Sequence, residues 1–394
     1  MNNDTQKNHL KAYGIVYFAL QAELKAKWLL NYDGGAFLIE NNTLVENECK
    51  IRGVSYQVIS DVKAQLILQD ISSPSKNQEA VTLEKAPKIA VYSPKDKMPW
   101  DDAVTMVLSY AEIPFDVIYD QEVLNDQLLL YEWVHLHHED FTGQYGRFYG
   151  AFRTVPWYVD GKIRAQKSAK SLGFNKVSQL KLAVSKKLRD FVIGGGFMFA
   201  MCSATDSFDI ALAAEGVDIA ESMFDGDPSE SNYQSKINFN RTFAFKDFNL
   251  IRNPTTYEFS SIDMTRKRSI PKTSDYFSLI EFSAKWDPVP TMLTQNHTQL
   301  VKGFMGQTTS YDRATIKSNV LVMGENRTNR EARYIHGTKG KGMFTFYGGH
   351  DPEDYTHRVG DPKTELDLHP TSPGYRLILN NVLFPAAKKK KQKT

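Results

Sequence analysis

The run Gly194-Gly195-Gly196-Phe197-Met198-Phe199-Ala200-Met201-Cys202-Ser203 constrains the fold of this chain more than any other segment. Before it, Lys181 to Val192 carries Leu182, Val184, Leu188, Phe191 and Val192 at near-helical spacing, and helices commonly stop at glycine. The apolar residues Phe197 to Met201 then predict a buried strand. A second helix starts within Ser203-Ala204-Thr205-Asp206 and runs through Ile210, Ala211, Leu212 and Ala214 to Gly216. That order delivers Cys202 to the carboxyl end of a parallel strand, where open α/β sheets place their ligands.

The same alternation starts after Pro87. Lys88 to Tyr92 predicts a strand, Trp100 to Ala111 an amphipathic helix opened by Pro99, and Phe115 to Tyr119 a second strand. Glu132 to Leu136 predicts a third, which runs into His137-His138-Glu139-Asp140. Farther on, Ala332 to His336 and Gly342 to Tyr347 predict two strands joined by Gly337-Thr338-Lys339-Gly340-Lys341, the second ending in Gly348-Gly349-His350-Asp351-Pro352-Glu353-Asp354. A helix over Gly374 to Leu383 closes the domain.

Upstream of Pro87, a helix over Asn8 to Glu23 and short strands at Lys27 to Leu30 and Phe37 to Ile39 form an N-terminal α/β extension, residues 1–86. The main domain is expected over 87–220 and 331–387, with 221–330 an insertion of strands and loops that covers the cleft. The expected class is α/β: a flavodoxin-like parallel sheet with helices on both faces.

Bulk properties narrow the function. Hydrophobic content is 41%, charged 24% and aromatic 12%, the balance of a soluble globular protein. No apolar run approaches the roughly 20 residues of a membrane helix. The net charge is +2, but five lysines lie in the tail 388–394, and removing them leaves −3 for the body. Such a body exerts no general pull on nucleic acid, and the tail reads as a solvated end. Two cysteines, Cys49 and Cys202, argue against a disulfide framework. The polar stretch Met1 to Lys11 points to a cytoplasmic protein, with a periplasmic home the alternative if an export signal has been removed.

A thiol at a helix N-terminus feels the positive end of the peptide dipoles, which favours thiolate. The small neighbours Ala200, Ser203 and Ala204 suit a tight strand-helix elbow. His350 also follows a strand, with Asp351 and Glu353 close behind it, so a thiol, an imidazole and a carboxylate are all at hand for nucleophilic acyl transfer. Gly195, Gly196, Ser203, Asp206 and Gly349 are candidate substrate contacts. The run His135-Leu136-His137-His138-Glu139 offers a different chemistry. Alternate residues on a strand share a face, and imidazoles beside His350 suit a divalent metal. Otherwise His137, His138 and Glu139 form a polar rim of the substrate pocket.

The strand-Cys-helix turn, followed much later by a strand-Gly-Gly-His turn, resembles the class I glutamine amidotransferase-like superfamily, most closely its ThuA-like branch. The resemblance covers about Lys88 to Ala220 and Arg333 to Phe384. It implies a nucleophile at Cys202 and a base at His350. Ala200 and Ala204 stand where that superfamily has elbow glycines, and Pro352 stands at its acid position, so Asp351 or Glu353 would complete the triad.

The whole chain, including 348–354 and Ser372-Pro373-Gly374-Tyr375-Arg376, is also similar to bacterial proteins that carry the name asparagine synthetase B. True asparagine synthetase motifs are absent: position 2 is Asn2, not cysteine, and there is no Ser-Gly-Gly-x-Asp-Ser loop. The expected function is a cysteine hydrolase acting on a small amide or related carbonyl compound, with no cofactor. A metal-assisted hydrolase or sugar-modifying enzyme built on His137, His138 and His350 stands beside it. So does a non-catalytic protein that binds a ligand or partner.

Overall fold

A computed structural model describes residues 5–95, 100–356 and 358–388. Among the described residues, thirteen strands run in chain order: β1 (Ala26–Leu30), β2 (Ala36–Ile39), β3 (Glu79–Leu83), β4 (Ile89–Tyr92), β5 (Asp116–Ile118), β6 (Trp133–Leu136), β7 (Phe197–Met201), β8 (Tyr276–Leu279), β9 (Leu300–Lys302), β10 (Tyr311–Asp312), β11 (Leu321–Asn326), β12 (Glu331–Lys339) and β13 (Gly342–Tyr347). The first three form a small antiparallel sheet ordered β2-β1-β3. The other ten build one large sheet, β5-β4-β6-β7-β13-β12-β11-β8-β9, with β10 paired to β12.

From β5 to β13 every pairing is parallel. Numbered along the chain, these five strands lie in the order 2-1-3-4-5. β4 therefore connects outward to β5, whereas β6 connects the other way to β7, and the order reverses between β4 and β6. A crevice opens at the carboxyl ends of strands that diverge in this way.

Helices cover both faces of the parallel part. On one side Ile89, Val91, Phe199 and Met201 pack with helices His9–Gln21, Ala103–Tyr110 and Pro373–Leu383; on the other Ala90, Tyr92, Met198 and Ala200 pack with Val177–Gly194 and Ala204–Ala213. Adjacent strand residues thus enter opposite cores, so central strands read as continuous apolar runs. Helix Val177–Gly194 buries Val177, Leu180, Val184, Leu188, Phe191 and Val192, and it ends where Gly195 takes φ 124°.

One sequence expectation needs correction, and two regions prove richer than expected. The sheet is mixed: beyond β13 it continues antiparallel through β12, β11, β8 and β9. Segment 221–330 does more than cover a cleft, because β8, β9, β10 and β11 widen the sheet and their partners sit far away in sequence. The N-terminal region has two further helices, Thr43–Ile51 and Asp61–Ser72, and a third strand. It is stitched to the main body by a β-bridge between Leu83 and Ala387 and by the bond from Arg376 Nε to Tyr13 Oη at 3.2 Å. Pro99 and all of the basic tail beyond Lys388 lie outside the described residues; Lys388 Nζ sits 3.4 Å from Glu84.

Candidate functional site

The carboxyl ends of β6, β7 and β13 bring His137, Cys202 and His350 to one edge of the sheet. Cys202 is the elbow the sequence suggested: its φ is 54°, a left-handed value that costs a non-glycine residue energy. Its N–H donates to the Gly349 carbonyl at 3.2 Å, and Ala204 N–H donates to the His137 carbonyl at 3.1 Å, so the three strand ends are tied together. Gly349 has φ 98°, and a Cβ there would meet the Phe304 ring at 2.6 Å, so only glycine allows this turn.

The thiol itself is poorly placed for attack. Cys202 is buried, and burial pushes its pKa up to about 12 although the backbone N–H groups of Ser203 and Gln307 bond to the sulfur. Asp206 lies beneath it, its carboxyl held well above the usual range by burial and by Asp263, and Oδ1 accepts from Thr308 Oγ1 at 2.9 Å. The expected triad acids are occupied elsewhere. Asp351 accepts from Tyr375 Oη (2.8 Å) and Thr364 Oγ1 (2.8 Å), and Glu353 accepts from Ser372 Oγ (2.6 Å). Both brace helix Pro373–Leu383.

Gly195 and Gly196 do not belong to this site. They precede β7, whereas Cys202 follows it, so a five-residue strand of roughly 16 Å separates them. Gly196 is required for packing, since a Cβ would strike the Phe191 ring at 2.3 Å.

The histidines, in contrast, converge. His135 and His137 share a face of β6, as alternation demands, with His135 Nε2 3.2 Å from His137 Nδ1. His137 Nε2 is 3.1 Å from His350 Nδ1, and His350 Nε2 is 2.9 Å from the Asp101 carbonyl. The His138 ring stacks on His350, centroids 4.3 Å apart. One ring nitrogen from each of His137, His138 and His350 lies within 4.8 Å of the other two. Asp102 closes the cluster from behind, 3.4 Å from His137 Nδ1 and 3.5 Å from His135 Nε2. Burial would raise its pKa, but the two imidazoles outweigh burial and hold it well below the usual carboxylate range.

Hydrogen-bond accounting gives this cluster its chemistry. From the Phe199 carbonyl to the Asp101 carbonyl the contacts form one relay, His135 to His137 to His350, in which each ring nitrogen donates or accepts according to its tautomer.

His138 joins the cluster to a cavity of about 450 Å³ at the carboxyl ends of β4, β5 and β6. Trp100, Phe148 and Trp157 form one wall, the Trp100 ring 5.6 Å from His138 and 5.3 Å from Trp157. On the other side, buried Lys181 Nζ reaches Tyr92 Oη (2.8 Å), Tyr119 Oη (3.0 Å), Asp120 (3.0 Å) and Glu139 (3.2 Å). Burial raises the Glu139 pKa despite the nearby ammonium.

Sequence reading did not find Trp157, Phe148 or Lys181, which come from helices or turns with no motif. Asp102 carries no motif either; it caps Ala103–Tyr110, accepting from Val104 and Thr105 N–H at 2.8 and 3.0 Å.

No family model matches the chain, and no curated protein matches it. Among solved structures, two proteins described as cytoplasmic proteins from Salmonella typhimurium align with it. One is 10% identical, covering 77% of this chain and 100% of its own, with a TM-score of 0.37. The other is 12% identical, covering 76% and 100%, with a TM-score of 0.35. A GH42 beta-galactosidase aligns at 10% identity over 68% of this chain and 28% of its own, with a TM-score of 0.27. Likeness at this level names neither a family nor an activity.

Proposed function

We propose that this protein is a metal-dependent hydrolase in which His137, His138 and His350 hold one divalent cation and the adjoining cavity receives a small, neutral substrate. The observation that carries the reading is the convergence of three imidazoles, one ring nitrogen from each of His137, His138 and His350 lying within 4.8 Å of the other two. Two imidazoles on one tetrahedral ion, each at about 2.0–2.1 Å, bring their nitrogens to roughly 3.3 Å of each other. A third imidazole, His138, stands within the same group.

Three histidines leave a fourth position for water, whose pKa a divalent ion such as zinc lowers to about 7. Four basic and four acidic residues line the cavity, so its charge is balanced and favours a neutral ligand, while the tryptophans offer apolar faces. The strand order 2-1-3-4-5 supports the flavodoxin-like reading, and His137 and His138 follow β6, a strand that borders its switch point. The thiol hydrolase reading draws less support, because burial pushes the Cys202 thiol up to about 12 and the expected triad acids Asp351 and Glu353 accept from Tyr375, Thr364 and Ser372 instead.

Elemental analysis of protein purified without chelators, followed by zinc titration, tests the proposal. About one equivalent of metal is expected, lost in His137→Ala and His350→Ala, together with any hydrolysis of neutral amides, esters or lactones. A metal-free preparation with full activity against such a substrate would refute it.

A further inference from the structure

We propose that helix Asp61–Ser72 is a self-association surface, on which a second copy of this chain packs antiparallel about a two-fold axis beside Leu66. The helix is apolar on two sides. Ala64, Ile67, Leu68 and Ile71 recur at the spacing of one helical face and turn inward, Ile71 buried and the other three half-buried. Val62 and Leu66, four residues apart on the outer side, are 71% and 60% exposed, where a surface helix normally carries charge. Val58 (55%) and Tyr56 (43%) carry the apolar exposure past the N-terminal end. Trp286, 83% exposed, stands at the other end, on a turn docked against the helix terminus. Lys285 Nζ donates there to the Ile71 carbonyl at 3.1 Å, and Ala284 N–H to Asn77 Oδ1 at 2.7 Å.

Area and charge both fit a second copy. These five residues expose roughly 700 Å², close to the about 800 Å² that each partner contributes to a standard-size interface. A two-fold contact is isologous, so what one end of the helix offers must suit the other end. In an antiparallel pair, Trp286 of one copy comes over the partner's Tyr56 and Val58, and the same contact forms a second time across the axis. Each is an aromatic anchor on an apolar seat. Lys63 and Asp70 are seven residues apart, close to two full turns, and so lie on the same flank of the Val62–Leu66 stripe. With the axis beside Leu66, Lys63 of each copy faces the partner's Asp70, and two ion pairs close the contact. Within one chain Asp70 is paired with Lys76, both of them exposed, a surface contact that costs little to exchange.

The test is the oligomeric state of the full chain, followed by sedimentation velocity from about 1 to 100 μM. Wild type is expected to sediment as a dimer. Leu66→Glu, which sets two carboxylates beside the axis, should sediment as a monomer that circular dichroism shows to be folded. Lys63→Glu and Asp70→Lys should each weaken the dimer about 10-fold or more, because each brings like charges face to face twice. Combined, they restore opposite charges, and the affinity should return to within about threefold of wild type. That rescue carries the test if Leu66→Glu fails to fold. Wild type that stays monomeric at about 100 μM overturns the proposal. So does a dimer that survives Leu66→Glu, since it uses another face, and so does a charge-reversed pair no tighter than either single variant. None of these outcomes bears on the histidine site.

Discussion

Lys181 is the side chain whose loss should be felt most sharply outside the histidine cluster, and Lys181→Met measures it. The ammonium is 4% exposed and stands among two carboxylates and two phenols, at 2.8 to 3.2 Å. Methionine fills most of the volume but leaves Asp120 and Glu139 buried beside each other without a cation. Each charge-assisted bond lost is worth about 1.5–3 kcal/mol, partly offset by the apolar replacement. The expected cost is about 3–5 kcal/mol, the range for breaking a buried pair by removing one partner. Urea unfolding followed by tryptophan fluorescence reads this as a lower midpoint with an unchanged slope. Adding Glu139→Gln removes one stranded charge, and the double variant should regain about 1–2 kcal/mol, a coupling that a double-mutant cycle isolates. A loss below about 1 kcal/mol in Lys181→Met would show that the ammonium does not neutralise this wall of the cavity.

Two further outcomes follow from burial. With its pKa near 12, Cys202 presents on the order of one thiolate in ten thousand at pH 8, so iodoacetamide should leave it unmodified in the folded protein and label it in urea; rapid labelling of the native protein, mapped by mass spectrometry, would revive the thiol as nucleophile. His336, buried at 3.0 Å from Thr345 Oγ1, has its pKa lowered to about 4 by burial. The unfolded chain therefore takes up a proton near pH 6.5 that the folded chain refuses until about pH 4, and stability falls as the pH drops through that window. Between pH 7 and pH 5 the His336→Gln variant should lose less stability than wild type, by on the order of 2 kcal/mol in chemical unfolding; equal losses would refute the assignment.

The parts of the fold that were legible in the sequence are those where one physical signal dominates. Phe197–Met201 is wholly apolar because both of its faces are buried, and the strand has those limits in the structure. The helix ahead of it, Val177–Gly194, was visible through its apolar stripe and its terminal glycines, though its first turn begins four residues before Lys181. Helix Pro156–Ser171 was not legible. It buries only Tyr158 and Ala169, so it has no stripe, and its useful face is the aromatic one it lends to the cavity through Trp157. The strands in 221–330 were hidden for another reason. β8 pairs with β11 and β9, and pairings of this kind between short, half-exposed strands leave little pattern in any one of them.

The candidate site shows the same division between what one segment encodes and what only the fold assembles. The pair His135 and His137 is a period of two written in the sequence, but its partners His350 and Asp102 arrive from β13 and from the loop after β4. Cys202 drew attention because a strand-to-helix turn is a strong local signal, and the structure places it at such a turn with φ 54°. The same turn, however, buries the sulfur under the 304–309 segment through the Gln307 N–H, so the geometry that makes an elbow here also closes it. The switch point, one strand away, stays open because the chains leaving β4 and β6 diverge. His138 is placed on that open side, between the buried imidazoles and the aromatic wall. A reacting molecule in the cavity would therefore meet the histidines before it could meet the thiol.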